Sequence, residues 1–435
     1  MMSPARPTAS SGGAAGLADR MSILARSVGG APAKPALSVL HAITGLAIGG
    51  AEIMLYRLLQ GSDRSRFAST VLSLLTPGAV GGRIAALNVP IVSLGMREGR
   101  PLAPAIFGVG RIARAIAPDV VQGWMYHGNL TATLAWWRLK RRGPLVWSVH
   151  HSLADISCEK LSTRVAVRLN ACLSQLPDAI IYCSRLGARQ HEAIGFAEHK
   201  TEVIPNGFDC DHSIPDPAAK ARLCQMLGID PGRVIVGMLT RAHPMKDHAN
   251  LIKAVAALSD KPFGLHLILL GRGVDPLDGK IARAVREAGI GDRVTLLDER
   301  DDVRPILCGL DVAASPSAWG EAFPLIVGEA MASGVPCVVT DVGDCGWLVG
   351  DTGVVVPPRD SEAMAAGLER LVNLGPEGRR ALGTAARRRI LENFSLASVA
   401  QRYEALYQSL VAKAPQGGRV GEPIIRRAGD TLIGG

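Results

Sequence analysis

The sequence predicts an α/β protein made of two doubly wound parallel sheets facing a cleft. Three observations carry this. From Leu37 onward, short runs of Val, Ile, Leu and Ala alternate with longer segments of helical period. The short runs are almost continuously apolar, as strands covered by helices on both faces must be. The whole pattern then restarts after a turn-rich stretch from Ile204 to about Asp216. Two sets of strand–helix units with one junction make two domains of similar size.

In chain order, the first set predicts strands over 37–43, 68–75, 89–94, 119–122, 144–149, 178–183 and 201–205. Helical segments lie near 50–60, 103–116, 128–141, 159–175 and 185–194. The second set predicts strands over 233–239, 265–270, 293–297, 310–314, 335–339 and 353–356, again with helices between them. This divides the chain into a first domain at 36–213 and a second at 214–394. A helix at 395–413 is expected to cross back to the first domain. Residues 1–35 and 414–435 lack periodicity and are expected to be a disordered leader and a tail, with Met21 a second candidate start. Ligands of such sheets bind outside the carboxyl ends of the strands, so the site belongs between the domains.

Composition narrows the classes. A chain of 435 residues with 48% hydrophobic side chains fills two conventional cores. No apolar run approaches the roughly 18–20 residues that span a bilayer, and Arg26 interrupts the only apolar candidate near the start. A cytoplasmic location is expected. The eight cysteines form no C-x-x-C pair or zinc spacing, so reduced thiols and no metal site are expected. The net charge of +9 is uneven: residues 36–213 hold eighteen Lys and Arg against twelve Asp and Glu, while 214–413 is nearly balanced. A basic surface suits phosphorylated substrates, anionic membranes or nucleic acid, and no nucleic-acid motif accompanies it.

Several residues point to chemistry. Glu321 follows the strand at 310–314, and Glu329 lies eight positions on, within a helix expected to begin near Pro324. A helix start offers backbone N–H groups to a phosphate, and a carboxylate a turn further in can accept from ribose hydroxyls. Arg241 and Lys246 follow the strand at 233–239, where two cations can neutralise a departing diphosphate. Gly49 and Gly50 open the first helix and allow close backbone approach. His150 and His151 end the strand at 144–149, and His127 and Asn129 follow the strand at 119–122; these four are cleft candidates. His243 and His248 lack a third ligand for a metal, and Asp209-Cys210-Asp211 sits in a junction where turn chemistry favours Asp.

Together, Gly49-Gly50-Ala51-Glu52, Ser148-Val149-His150-His151, Pro205-Asn206-Gly207, Arg241 with Lys246, and Glu321 to Glu329 form an ordered set. Ala332 to Pro336 and Thr340 to Gly343 complete it. The set resembles the GT-B glycosyltransferases of family 4 over about residues 37–413. Where that family usually has Glu-Gly-Phe, this chain has Glu321-Ala322-Phe323. The resemblance implies a retaining hexosyltransferase that takes a sugar from a nucleotide diphosphate-sugar and passes it to a glycan or lipid-linked acceptor, in envelope polysaccharide or glycolipid synthesis. It implies catalytic roles for Glu321, His150, Arg241 and Lys246. Donor contacts are implied at Gly49, Gly50, Arg241, Lys246, Glu321, Ala322, Phe323, Pro324, Leu325 and Glu329. His127, Asn129 and His151 are acceptor-side candidates. No metal or other cofactor is implied. A nucleotide-sugar epimerase on the same architecture is the alternative, and it needs no acceptor.

Two segments suggest an anionic membrane surface as a partner. Trp136-Trp137-Arg138-Leu139-Lys140-Arg141-Arg142 pairs two indoles with four cations. Within 160–176, Lys160, Arg164 and Arg168 make a basic stripe beside Leu161, Val165, Leu169 and Leu176. Packing of that apolar side on the sheet is the ordinary expectation for an α/β protein.

Overall fold

The computed structural model describes residues 37–414, apart from 97–102, 154–155, 157–158, 276, 278 and 301. The expected leader and nearly all of the expected tail lie outside the described residues. Among the described residues, thirteen strands form two sheets, and every pairing is parallel. The first contains β1 (Leu37–Ile43), β2 (Phe67–Leu75), β3 (Ile91–Met96), β4 (Val120–Trp124), β5 (Leu145–Val149), β6 (Ala179–Tyr182) and β7 (Thr201–Val203), in the order β3-β2-β1-β4-β5-β6-β7. The second contains β8 (Val234–Leu239), β9 (Leu265–Leu270), β10 (Val294–Leu297), β11 (Val312–Ser315), β12 (Cys337–Thr340) and β13 (Val354–Val356), in the order β10-β9-β8-β11-β12-β13. The strand order reverses between β1 and β4 and between β8 and β11. Those two switch points place the ligand crevices.

Alternation along each strand sends side chains into two cores, one per sheet face. Leu40 and Ala42 of β1 join Leu72, Val121 and Trp147 on one side, while Val39 and Ile43 join Val71, Val120 and Val146 on the other. The helix Leu396–Lys413 completes the second of these cores with Val399, Tyr403 and Tyr407, packed beside the helix Gly50–Gly61. Four-residue spacing puts these three side chains on one face.

The chain passes between the sheets twice, and the two passages are joined. Phe208 N donates to Phe394 O at 2.9 Å, and Leu396 N donates to Phe208 O at 2.8 Å. Asp209 is committed there too, accepting from Gln60 Nε2 and from His212 N, both at 3.0 Å. The Asp-Cys-Asp sequence is thus a junction turn.

Sequence and structure part in three places. The helix Ala79–Ala86 was not expected, because Gly81 and Gly82 weaken its signal; burial of Val80 and Ile84 against the first sheet overrides propensity. Trp136 is no surface anchor: it is buried, its Nε1 donates to Gly143 O at 2.9 Å, and Arg141 lies over its ring. Trp137 alone of the pair is exposed. The helix Leu161–Leu173 turns Ala166, Val167 and Asn170 inward and leaves Leu161, Val165 and Leu169 exposed, opposite to the ordinary expectation.

The seven described cysteines are free, and burial pushes the Cys183 and Cys337 thiols up to about 12. No helix among the described residues is long and apolar enough to cross a membrane.

Candidate active site

The loops that leave β8, β11 and β12 meet at one point. After β8, Arg241 is exposed, and His243 accepts from Met245 N to start the short turn Pro244–Lys246. That turn aims Lys246 inward. After β11, Ser317 O accepts from Thr340 Oγ1, at the end of β12, at 2.6 Å, and Ala318 N donates to Met245 O at 2.8 Å, so the three strand ends hold one another. Glu321 is buried at their centre. Its carboxylate pairs with Lys246 Nζ and accepts from Ser317 Oγ at 2.7 Å. A buried carboxylate is tolerated because both a cation and a hydroxyl compensate it.

The segment after Glu321 is fixed by close backbone contact. Asp344 N donates to Ala322 O at 3.2 Å, and a Cβ on Gly343 would stand 2.0 Å from Glu321 O. Gly343 also has φ +64°, so glycine is required twice over. The left-handed residue of the loop itself is Gly320, at φ +79°, and Ala322 is not among the positive-φ residues. Ala in place of the family's Gly is therefore accommodated without strain. Phe323 is buried against Phe208, Phe394 and Trp347, Pro324 caps the helix Leu325–Ala332, and Glu329 lies on its second turn. A cavity of about 10 Å³, room for roughly one water, lies beside Lys246, Ser315 and Ser317.

From the first sheet, His150 reaches the junction. It is half-buried with its Nε2 enclosed, and it stacks on Trp124 at 5.1 Å, while Trp124 stacks on Tyr403 at 6.2 Å. Asn206 Nδ2 donates to Phe323 O at 3.4 Å, which turns its Oδ1 toward His150 Nδ1 at 3.2 Å. His150 Nδ1 therefore carries the proton, and Nε2 keeps a lone pair with no partner among the described residues. Burial lowers the imidazole to about 4, so it is neutral at ordinary pH.

The other candidates separate. His151 lies against Tyr126 and Glu159, with Tyr126 Oη 3.2 Å from its Nδ1 and Glu159 3.4 Å from its Nε2. His127 is half-buried on the first turn of the helix Met125–Arg138. Asn129 does not face the cleft: it is fully buried, accepts from Ser148 N at 3.3 Å, and belongs to the helix–sheet seam. The turn there is tighter than expected, because Met125 at φ +62° starts the helix directly on β4 and carries Asn129 inward. Gly49 caps the helix Gly50–Gly61 without a side chain, and Gly50 is exposed.

Contacts between the two halves were not foreseen. Arg57 pairs with Glu329 and donates to Gly207 O at 3.2 Å. Asp344 accepts from Arg185 N and Leu186 N, capping the helix Arg185–Glu192 from the other sheet, and Arg185 lies 4.2 Å over Trp347. No motif marked Arg57 or Arg185. The four-residue spacing of Val399, Tyr403 and Tyr407 was the available signal for the brace behind His150.

Comparison with known proteins decides the family. The model for Glycosyltransferase Family 4 matches residues 48–212, and the model for Glycosyl transferases group 1 matches residues 231–373. The chain belongs to the family 4, group 1 glycosyltransferases. Among curated relatives of this family 4 chain, the lipopolysaccharide core biosynthesis mannosyltransferase LpsB of Rhizobium meliloti is 30% identical over 216 residues. That match spans 48% of this chain and 61% of LpsB. The D-inositol 3-phosphate glycosyltransferase of Rhodococcus erythropolis is 33% identical over 192 residues, 42% of each chain. The matched segments thus span less than two thirds of these relatives.

The crystal structure of Anabaena Alr3699/HepE in complex with UDP superposes with a TM-score of 0.75 at 22% identity, covering 86% of this chain and all of that one. Its complex with UDP-glucose gives 0.71 at 23% identity, again covering 86% of this chain and all of that one. At that identity the likeness establishes the GT-B fold: two doubly wound sheets, as expected.

Proposed function

We propose that this family 4 protein is a retaining hexosyltransferase that moves a sugar from a nucleoside diphosphate-sugar to a hydroxyl of a glycan or lipid-linked acceptor. Its place is the cytoplasm, in cell-envelope polysaccharide or glycolipid synthesis. The observation that carries the reading is the pair of half-buried Lys246 and buried Glu321 at the carboxyl edge of the second sheet, with Arg241 exposed on the same loop as Lys246. Lys246 shares the small cavity with Ile326 on the first turn of Leu325–Ala332, and a cation beside first-turn amides suits a diphosphate that gains charge as it departs. UDP and UDP-glucose in the Anabaena neighbour support such a donor.

In this mechanism Arg241 and Lys246 hold the diphosphate, Glu321 positions Lys246 and meets the sugar, and Glu329 accepts from the ribose hydroxyls. Arg57 engages Glu329 Oε1, which orients the carboxylate. His150 Nε2, a lone pair held in place by Asn206 and Trp124, accepts from a sugar hydroxyl. The anomeric carbon loses its bond to the diphosphate oxygen and gains one to the acceptor oxygen, whose proton leaves with the diphosphate. The cations supply the electrostatic compensation, so no metal is required. The test is transfer from a panel of UDP-, GDP- and ADP-sugars, with the product linkage read by proton NMR. We expect one donor class to be used, the donor's anomeric configuration kept, and activity retained in EDTA. An inverted linkage refutes retention. Loss of activity in EDTA, restored by a divalent ion, refutes the cation-only account.

A further inference from the structure

We propose that the outward face of the helix Leu161–Leu173 docks on an anionic lipid bilayer. Leu161, Val165 and Leu169 are 73%, 50% and 47% exposed and recur every four residues, so they form one continuous apolar strip. Scattered exposed apolar residues are ordinary, but an aligned strip is the mark of a contact surface. The helix does not need this face for packing, since Ala166, Val167 and Asn170 seat its other side against the first sheet. Lys160 and Arg168 are exposed along the strip, Arg164 is half-buried beside it, and no Asp or Glu occurs from Lys160 to Pro177. Cations that reach headgroups while aliphatic side chains enter the interface are what an interfacial helix presents. A second copy of this chain is a poor occupant. A twofold contact would set these cations against their own copies.

The position of the strip gives it a use. Asn170 Nδ2 donates to Tyr126 O at 3.1 Å, and Tyr126 follows directly on β4. The third turn of the helix is therefore level with the carboxyl edge of the sheet. At 1.5 Å per residue, Val165 stands roughly 7 Å and Leu161 roughly 13 Å further along the helix toward its start, beyond that edge. His151, beside Tyr126, marks the same edge. A bilayer on the strip holds the mouth of the cleft at headgroup depth, where a lipid-linked hydroxyl is delivered. That consequence rests on the transferase reading; the docking itself does not.

Flotation of the full chain tests it, using phosphatidylcholine vesicles with and without phosphatidylglycerol at low and moderate salt. We expect flotation with the anionic vesicles that weakens with salt. A Leu161→Gln/Val165→Gln/Leu169→Gln variant should bind more than about tenfold more weakly. A Lys160→Glu/Arg168→Glu variant should lose at least about 25-fold, since each cation near an anionic surface contributes roughly a factor of five. These positions are exposed, so far-UV circular dichroism and nucleotide binding by calorimetry should be unchanged, which keeps a failure of docking separate from a failure of the donor site. The proposal is overturned if the wild type stays unbound with anionic vesicles at low salt, or if both variants float like it. It is equally overturned if the apolar variant breaks up an oligomer present without vesicles, because the occupant is then a second copy.

Discussion

Lys246 acquires its place from two separate stretches of chain. Its own turn aims it, Ala318 anchors the neighbouring carbonyl, and Glu321, bonded by Ser317, receives it. Such preorganisation makes a charge effective at the moment a leaving group departs. Lys246→Met should therefore lower kcat by about 10²–10³ while circular dichroism shows an intact fold. Glu329→Ala should instead weaken donor binding and leave kcat at saturation nearly unchanged, since ribose contacts persist from ground state to transition state. Calorimetric titration of the donor with steady-state kinetics separates the two. Equal effects of both variants on kcat would contradict the division of roles. Lys246 and Glu321 were legible because each follows a predicted strand, and Glu329 because it lies a turn into a predicted helix. Arg57 was not, since an Arg in the middle of an amphipathic helix carries no mark of the partner it meets 272 positions away.

At the scale of elements, the helix Leu396–Lys413 is the brace of the site. Tyr403 is fully buried and stacks on Trp124, which stacks on His150, while Tyr407 Oη donates to Gln122 Oε1. Tyr403 Oη itself has no partner among the described residues. The two halves of that side chain should then behave differently. Tyr403→Ala should cost about 3–5 kcal/mol by loss of ring packing. Tyr403→Phe should change stability by less than about 1 kcal/mol, or raise it, because an unpaired buried hydroxyl contributes nothing. Urea denaturation of both variants checks this, and a large loss in the Phe variant would reveal a hydroxyl partner. Helical period located this element in the sequence. What it packs against came from the return of the chain beside Phe208, a long-range event that periodicity does not encode.

Across the whole molecule, buried histidines set a pH dependence. Burial lowers His41 to about 3 and His150, His191 and His248 to about 4, from a usual 6.5. These groups are neutral in the folded chain and gain protons more readily when it unfolds. Stability is therefore complete above about pH 6.5 and falls as pH drops toward 4. Burial lowers His127, His151 and His266 as well, and Glu52, raised by burial, works in the opposite direction. Thermal unfolding midpoints should decline steadily between pH 7.5 and pH 5. A flat profile over that interval would show that the imidazoles are solvated in the native state.

The sequence alone determined the fold class, the two sheets and the order of their strands along the chain. These follow from apolar runs and helical period, which local residue type controls. It also determined which residues crowd the carboxyl edge of the second sheet, because a residue that directly follows a strand has little freedom to be elsewhere. Tertiary structure decided the rest. It chose His150 over His151 for the junction, because Asn206 and Trp124 could be placed only by the two passages between the sheets. It drew Asn129 and Trp136 inward and left Leu161, Val165 and Leu169 in the open. A side chain's face depends on the angle at which its element is laid on the sheet, and that angle is set by close packing with distant residues.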